Sequence, residues 1–170
     1  MNVEIKAKVR NLAKLLDKAK LISGSEGKVL SQIDQFYDAV QGRLKLRKFE
    51  GGDAELIYYD RPDDEGPKLS SYEKCTIHAS EVDTLDRILK FSVGGKGIVK
   101  KVRHLFMVGQ TRLHVDIVEN LGNFMELEVV LKPEQTFEEG QSIANGLMEK
   151  LEIDKDDLLA GAYRDMLQAT

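Results

Sequence analysis

Residues 113–128 read LHVDIVENLGNFMELE, and how this stretch is read decides the fold. His114 and Asp116 share the polar face of a strand running from Arg112 to Val118. The Asn120–Gly122 turn reverses the chain, and a second strand runs from Asn123 to Leu131 with Glu126 and Glu128 two positions apart. A period of two on both sides of a short turn predicts an antiparallel hairpin.

Working outward, the same pattern recurs. Ile98–Val108 is a strand joined to Arg112–Val118 by a Gly109-Gln110 turn. Asn2–Val9, Ser31–Tyr37, Arg43–Phe49, Glu55–Arg61 and Ser71–Ala79 bring the strand total to about eight. Gln41-Gly42 and Gly51-Gly52-Asp53 supply hairpin turns, and Pro62, Gly66 and Pro67 mark a loop across 60–68. Helical spacing appears at Leu12, Leu15, Leu16 and Ala19. It appears again behind an expected Ser80 N-cap, at Val82, Leu85, Ile88 and Leu89, and behind a Thr136/Glu139 capping box. A last helix is expected from about Asp154, carrying Leu158, Leu159, Ala162, Tyr163 and Met166. The elements predict an α+β domain spanning 1–170. A mostly antiparallel, closed or nearly closed barrel is the favoured architecture, because so many strands in a short chain must remove their edges.

The strands' polar faces are sorted by sign. Arg43, Lys45 and Arg47 form a basic row, Lys101 and Arg103 another. Glu126 and Glu128 form an acidic row that Asp116 could join, and Glu4 is followed by Lys6 and Lys8. Residues two apart on a strand project to one side, about 7 Å apart. A Glu-x-Glu pair suits a hard divalent cation; a basic-x-basic pair suits a polyanion such as a phosphate chain. Each pair alone is commonly a solvated face, but three same-sign rows in one chain favour a shared site.

Composition narrows the classes further. The chain has 170 residues, 42% hydrophobic and 32% charged, with a net charge of −4. That balance supports a core and argues against nucleic-acid binding through bulk positive charge. The apolar runs are too short for a membrane helix, and one cysteine, Cys75, fits a reducing compartment; a cytoplasmic location is expected. His78, His104 and His114 lack zinc-ligand spacing, and the Gly94–Gly97 cluster lacks the Gly-Lys-Ser/Thr ending of a P-loop.

The chain resembles CYTH domains, the triphosphate tunnel metalloenzymes that include class IV adenylate cyclases and thiamine triphosphatases. The resemblance rests on NVEIKAKV near the N-terminus, QIDQFYD at 32–38, GRLKLRKFE at 42–50, VKKVRHLF at 99–106 and the stretch at 113–128. Asn2 stands where the family's first Glu is expected. The resemblance implies an eight-stranded antiparallel β-barrel forming an open tunnel, with outer helices. It implies that Glu4, Glu126 and Glu128, helped by Asp116, bind Mg²⁺ or Mn²⁺. It implies that Lys6, Lys8, Lys45, Arg47, Arg61, Lys101 and Arg103 grip a triphosphate, and it allows Tyr163 to plug one tunnel end. Lys6, a lysine among other cations, is the expected base. The expected substrate is tripolyphosphate, a nucleoside triphosphate or thiamine triphosphate, bound by a monomer or homodimer with no nucleic-acid or membrane partner. Hydrolysis of the terminal phosphate, cyclisation of ATP to cyclic AMP, and binding without turnover are the alternatives.

Overall fold

A computed structural model describes residues 1–169. Eight strands wind into a closed antiparallel barrel: β1 (Asn2–Lys8), β2 (Lys28–Tyr37), β3 (Arg43–Phe49), β4 (Ala54–Asp60), β5 (Lys68–Ile77), β6 (Gly95–Val108), β7 (Thr111–Val118) and β8 (Gly122–Val130). Their order around the barrel is β5-β4-β3-β2-β6-β7-β8-β1, and β1 closes the ring on β5 through Asn2–Ser70, Val3–Leu69 and Glu4–Lys68. Four helices lie outside: α1 (Leu12–Ser23), α2 (Val82–Ser92), α3 (Phe137–Lys150) and α4 (Tyr163–Ala169). Among the described residues, no helix is long and apolar enough to cross a membrane.

The alternation in each strand gives the barrel two unlike faces, and the apolar one points outward. Val3, Ile5 and Ala7 of β1, Val115 of β7 and Leu127 of β8 pack beneath α1 and α3, in a cluster with Leu15, Ala144 and Leu147. A second cluster holds Tyr37, Leu46 and Ala54 against Val82, Leu85 and Leu89 of α2. Burial of these faces excludes water and fixes strand register. The polar faces are thereby turned inward.

Two local expectations are corrected. Ser80 does not cap α2; it lies in a 3₁₀ turn, Ala79–Glu81, where its amide donates to His78 Nδ1 at 3.2 Å. No helix runs from Asp154: Lys155–Asp157 is a 3₁₀ turn, and Leu158–Leu159 form a ninth strand, β9, paired with Lys6 and Ala7 of β1. β9 covers the part of the β1 edge that β5 leaves, which matters for an otherwise bare edge. Gly161, at φ 81°, then turns the chain into α4. By contrast the Thr136/Glu139 capping box forms as expected at the start of α3.

Helix α3 reaches the barrel through a glycine. A Cβ at Gly140 would stand 2.6 Å from Val3 Cγ2 and from Leu131 Cδ2, whereas at Gly146 it would meet nothing within 4 Å. Gly146→Ala should therefore stabilise the protein by up to about 1 kcal/mol through helix propensity. Gly140→Ala should instead destabilise it by roughly 1 kcal/mol, overpacking outweighing the same gain. Urea denaturation of the two variants checks the opposite signs.

Candidate active site

The inward faces line a cavity of about 250 Å³ that runs through the barrel. At one end Phe36, Val99, Phe124 and Tyr163 pack together, the Phe124 and Tyr163 rings 5.2 Å apart. Between that plug and the far end the walls are charged, with cations on one side and carboxylates on the other.

The basic belt comes from β3 and β6. Lys45 and Arg47 project from β3 and Lys101 from β6, and all three meet Asp34 of β2, a residue only 1% exposed. Arg47 donates from Nε and Nη2 at 2.8 Å each; Lys45 and Lys101 donate from Nζ at 3.2 Å. Burial alone would raise the Asp34 carboxyl, but Arg47, Lys101 and Lys45 outweigh it and hold the group well below the usual carboxylate range. Burial pushes Lys45 down to about 8, with Arg47 adding like-charge repulsion, and it pushes Lys101 down as well.

The acidic pole comes from β1 and β8. Glu4, Glu126 and Glu128 each present a carboxylate oxygen within 4.8 Å of the others. Arg61, just past β4, sits among them: Nη1 donates to Glu4 Oε2 at 2.6 Å and lies 3.7 Å from Glu126 Oε1. Burial raises Glu4 to about 7, with Glu126 adding repulsion against the pull of Arg61. Burial would raise Glu126 too, but Lys6 and Arg61 hold it low. Lys6 is itself pushed down to about 8 by burial; its Nζ lies 3.9 Å from Glu126 Oε2 and 4.1 Å from the centre of the Tyr163 ring.

This donor set fits a hard divalent cation: three carboxylates and a neighbouring amide, all oxygen donors. Asn2 donates from Nδ2 to Glu128 Oε2 at 3.1 Å and leaves its own Oδ1 buried with no hydrogen-bond partner. An orphaned buried oxygen beside three carboxylates is what a bound cation would satisfy.

Known proteins place the chain in a family and match its fold. The CYTH domain profile matches residues 1–163. The chain belongs to the CYTH domain family. Its fold resembles the PH1012 protein of Pyrococcus horikoshii OT3 at 20% identity, with a TM-score of 0.83 over 97% of this chain and 98% of that one. An adenylate cyclase candidate from Vibrio parahaemolyticus aligns at 22% identity and a TM-score of 0.80, covering 98% and 97% of the two chains. The Hippeastrum protein HpAC1, an adenylyl cyclase candidate with a dominant triphosphatase activity, aligns at 16% identity and a TM-score of 0.68, covering 99% and 96%. No curated protein matches the chain in sequence.

Within this CYTH domain, Glu4, Lys6, Lys45, Arg47, Arg61, Lys101, Arg103, Glu126 and Glu128 all line the one cavity. Two expected site residues do not. Lys8 is exposed and lines a separate surface groove with Arg10 and Lys14. Its register partner on β8 is Phe124, so it lies at the level of the plug rather than of the charged walls. Asp116 is committed elsewhere: Arg103 donates to it from Nε and Nη2 at 2.8 Å each, and the Tyr163 hydroxyl donates at 2.9 Å. It orients Arg103 and the plug instead of joining the acidic pole. The reading of the strands overlooked Asp34, and also Arg112, which donates to Glu128 Oε2 at 2.9 Å.

The Arg103–Asp116 pair is buried, 5% and 0% exposed. Asp116→Asn should cost roughly 3 kcal/mol, the low end for breaking a buried pair, because cavity water can rehydrate one side of Arg103. Tyr163→Phe should cost about 1 kcal/mol. Guanidinium denaturation of both variants measures the difference.

Proposed function

We propose that the protein is a divalent-metal-dependent enzyme that binds a triphosphate in its tunnel and hydrolyses the terminal phosphate. The observation that carries this reading is the convergence of the acidic pole and the basic belt on one cavity. Opposed like-charge rows are stable together only when a ligand, or a built-in stand-in, carries both complementary charges.

Glu4, Glu126 and Glu128 would hold Mg²⁺ or Mn²⁺, with Asn2 Oδ1 beside them. Once bound, the ion supplies charge neutralisation on phosphate oxygens. The chain's own residues do the rest. Lys45, Arg47, Lys101 and Arg103 align the phosphate chain, which is most of what phosphoryl transfer asks of a protein. Lys6, held near 8 by burial, takes the proton of an attacking water as the water oxygen bonds to the terminal phosphorus. The bridging P–O bond breaks, and the remaining diphosphate (pyrophosphate, where the substrate is tripolyphosphate) leaves with the electron pair. Asp34 keeps the belt cations in place and compact when the tunnel is empty.

Release of phosphate from tripolyphosphate in the presence of Mg²⁺ or Mn²⁺, abolished by chelation, is the expected result. Cyclic AMP and pyrophosphate from ATP would assign cyclisation instead, and tight binding without products would assign a binder. Lys6→Arg keeps the charge but not the base, so kcat should fall about 10²–10⁴-fold while KM changes little; stopped assays at saturating substrate read this. Metal-free affinity for tripolyphosphate should also depend on pH. Lys6 and Lys45 are charged below about 8 and neutral above it, so affinity should fall as pH rises through that value. Calorimetric titration across pH 6.5–9.5 checks the sign.

A further inference from the structure

Arg47 and Arg103 each turn the fork of their guanidinium onto a carboxylate, but the two carboxylates are placed differently. Asp116, which takes Arg103, also accepts from the Tyr163 hydroxyl and does not line the cavity. Asp34 lies in the cavity wall itself, on β2, with β3 on one side and β6 on the other. Its Oδ1 accepts from Arg47 Nε, and its Oδ2 accepts from Arg47 Nη2, Lys45 Nζ and Lys101 Nζ.

Two coplanar oxygens under a guanidinium fork, one of them also holding two ammonium groups, reproduce the contacts a phosphate group makes with such cations. The three cations keep the Asp34 carboxyl ionised at neutral pH. An anion arriving at Lys45, Arg47 and Lys101 therefore meets donors already engaged, with a negative charge among them. Exchange is open from the cation side. Asp34 is short and fixed to β2, whereas the lysine and arginine stems are long enough to turn their donors from carboxylate to phosphate.

Resting on the triphosphate reading above, we propose that Asp34 is an internal competitor for the phosphate-binding cations. It lowers the affinity of the basic belt for every phosphate species, and its return to Arg47, Lys45 and Lys101 favours departure of the diphosphate product. A carboxylate that only assembled the belt would act with the opposite sign. Its removal would scatter the cations and weaken anion binding.

Calorimetric Kd values for pyrophosphate and tripolyphosphate in EDTA, on the wild-type chain, Asp34→Asn and Asp34→Glu, decide between the two roles. Asp34→Asn should bind both anions at least about tenfold more tightly, a modest share of what one unit charge within about 5 Å contributes. Asp34→Glu keeps the charge and should show no gain. In thermal melts Asp34→Asn should be less stable than the wild type, because adjacent cations have lost their counter-charge. Pyrophosphate should then raise its Tm by more than it raises that of the wild type, since the added anion takes the place of the carboxylate. Unchanged or weaker pyrophosphate binding by Asp34→Asn overturns the proposal. So does a gain that Asp34→Glu shares, or an Asp34→Asn chain that pyrophosphate cannot stabilise. Failure of tripolyphosphate to bind the wild type or Asp34→Asn, with or without Mg²⁺, overturns the triphosphate reading beneath it.

Discussion

Asp34 meets three cations from two other strands, and the tunnel depends on that contact. Closing a barrel points one face of every strand at a common axis, so charges that would be harmless on an open sheet are forced together. Lys45, Arg47 and Lys101 could not share so narrow a space without an anion between them, and the Asp34 carboxylate supplies it. Arg61 plays the mirror role among Glu4 and Glu126. Each row of like charge thus has a counter-ion built into the barrel wall, Asp34 for the cations and Arg61 for the carboxylates.

The outer face makes this arrangement affordable in stability. Packing of α1, α2 and α3 on the apolar side of the strands supplies the burial that the interior does not. The plug adds a third layer: Tyr163 packs on Phe124, donates to Asp116 and lies under Lys6. The segment before it is tied in as well, since the Gly161 carbonyl accepts from Arg61 at 3.2 Å and from Lys6 at 3.4 Å. The C-terminal segment is thereby coupled to the acidic pole, and Lys101 Nζ of the basic belt lies 5.4 Å from the centre of the Tyr163 ring.

Much of this was legible in the chain. Two-residue periodicity predicted eight strands and the barrel, and sorting of charge by strand predicted which faces share a site. The places where structure and sequence reading differ have physical causes. Leu158 and Leu159 fit a helical stripe as well as a strand, and only the free edge of β1 decides between them. Lys8 continues the alternation of Glu4 and Lys6, but alternation does not say where the bore ends. Asp116 reads as a third carboxylate beside Glu126 and Glu128, yet Arg103 and Asp116 are equidistant from the Gly109-Gln110 turn. Counting from the turn pairs them. The same counting from the turn after Tyr37 sets Asp34 opposite Arg47. The contact of Asp34 with Lys101 has no such signal, because β2 and β6 are far apart in sequence and meet only in the closed ring.

The account stands on one geometric claim, that the carboxylates of β1 and β8 and the cations of β3 and β6 take up a single ligand together. A crystal structure of the protein soaked with Mn²⁺ and tripolyphosphate tests it most directly. The account predicts an anomalous manganese peak among Glu4, Glu126 and Glu128, with phosphates in contact with Lys45, Arg47, Lys101 and Arg103. Manganese and phosphate bound at separate places on the outside of the barrel, with the bore filled only by water, would contradict it.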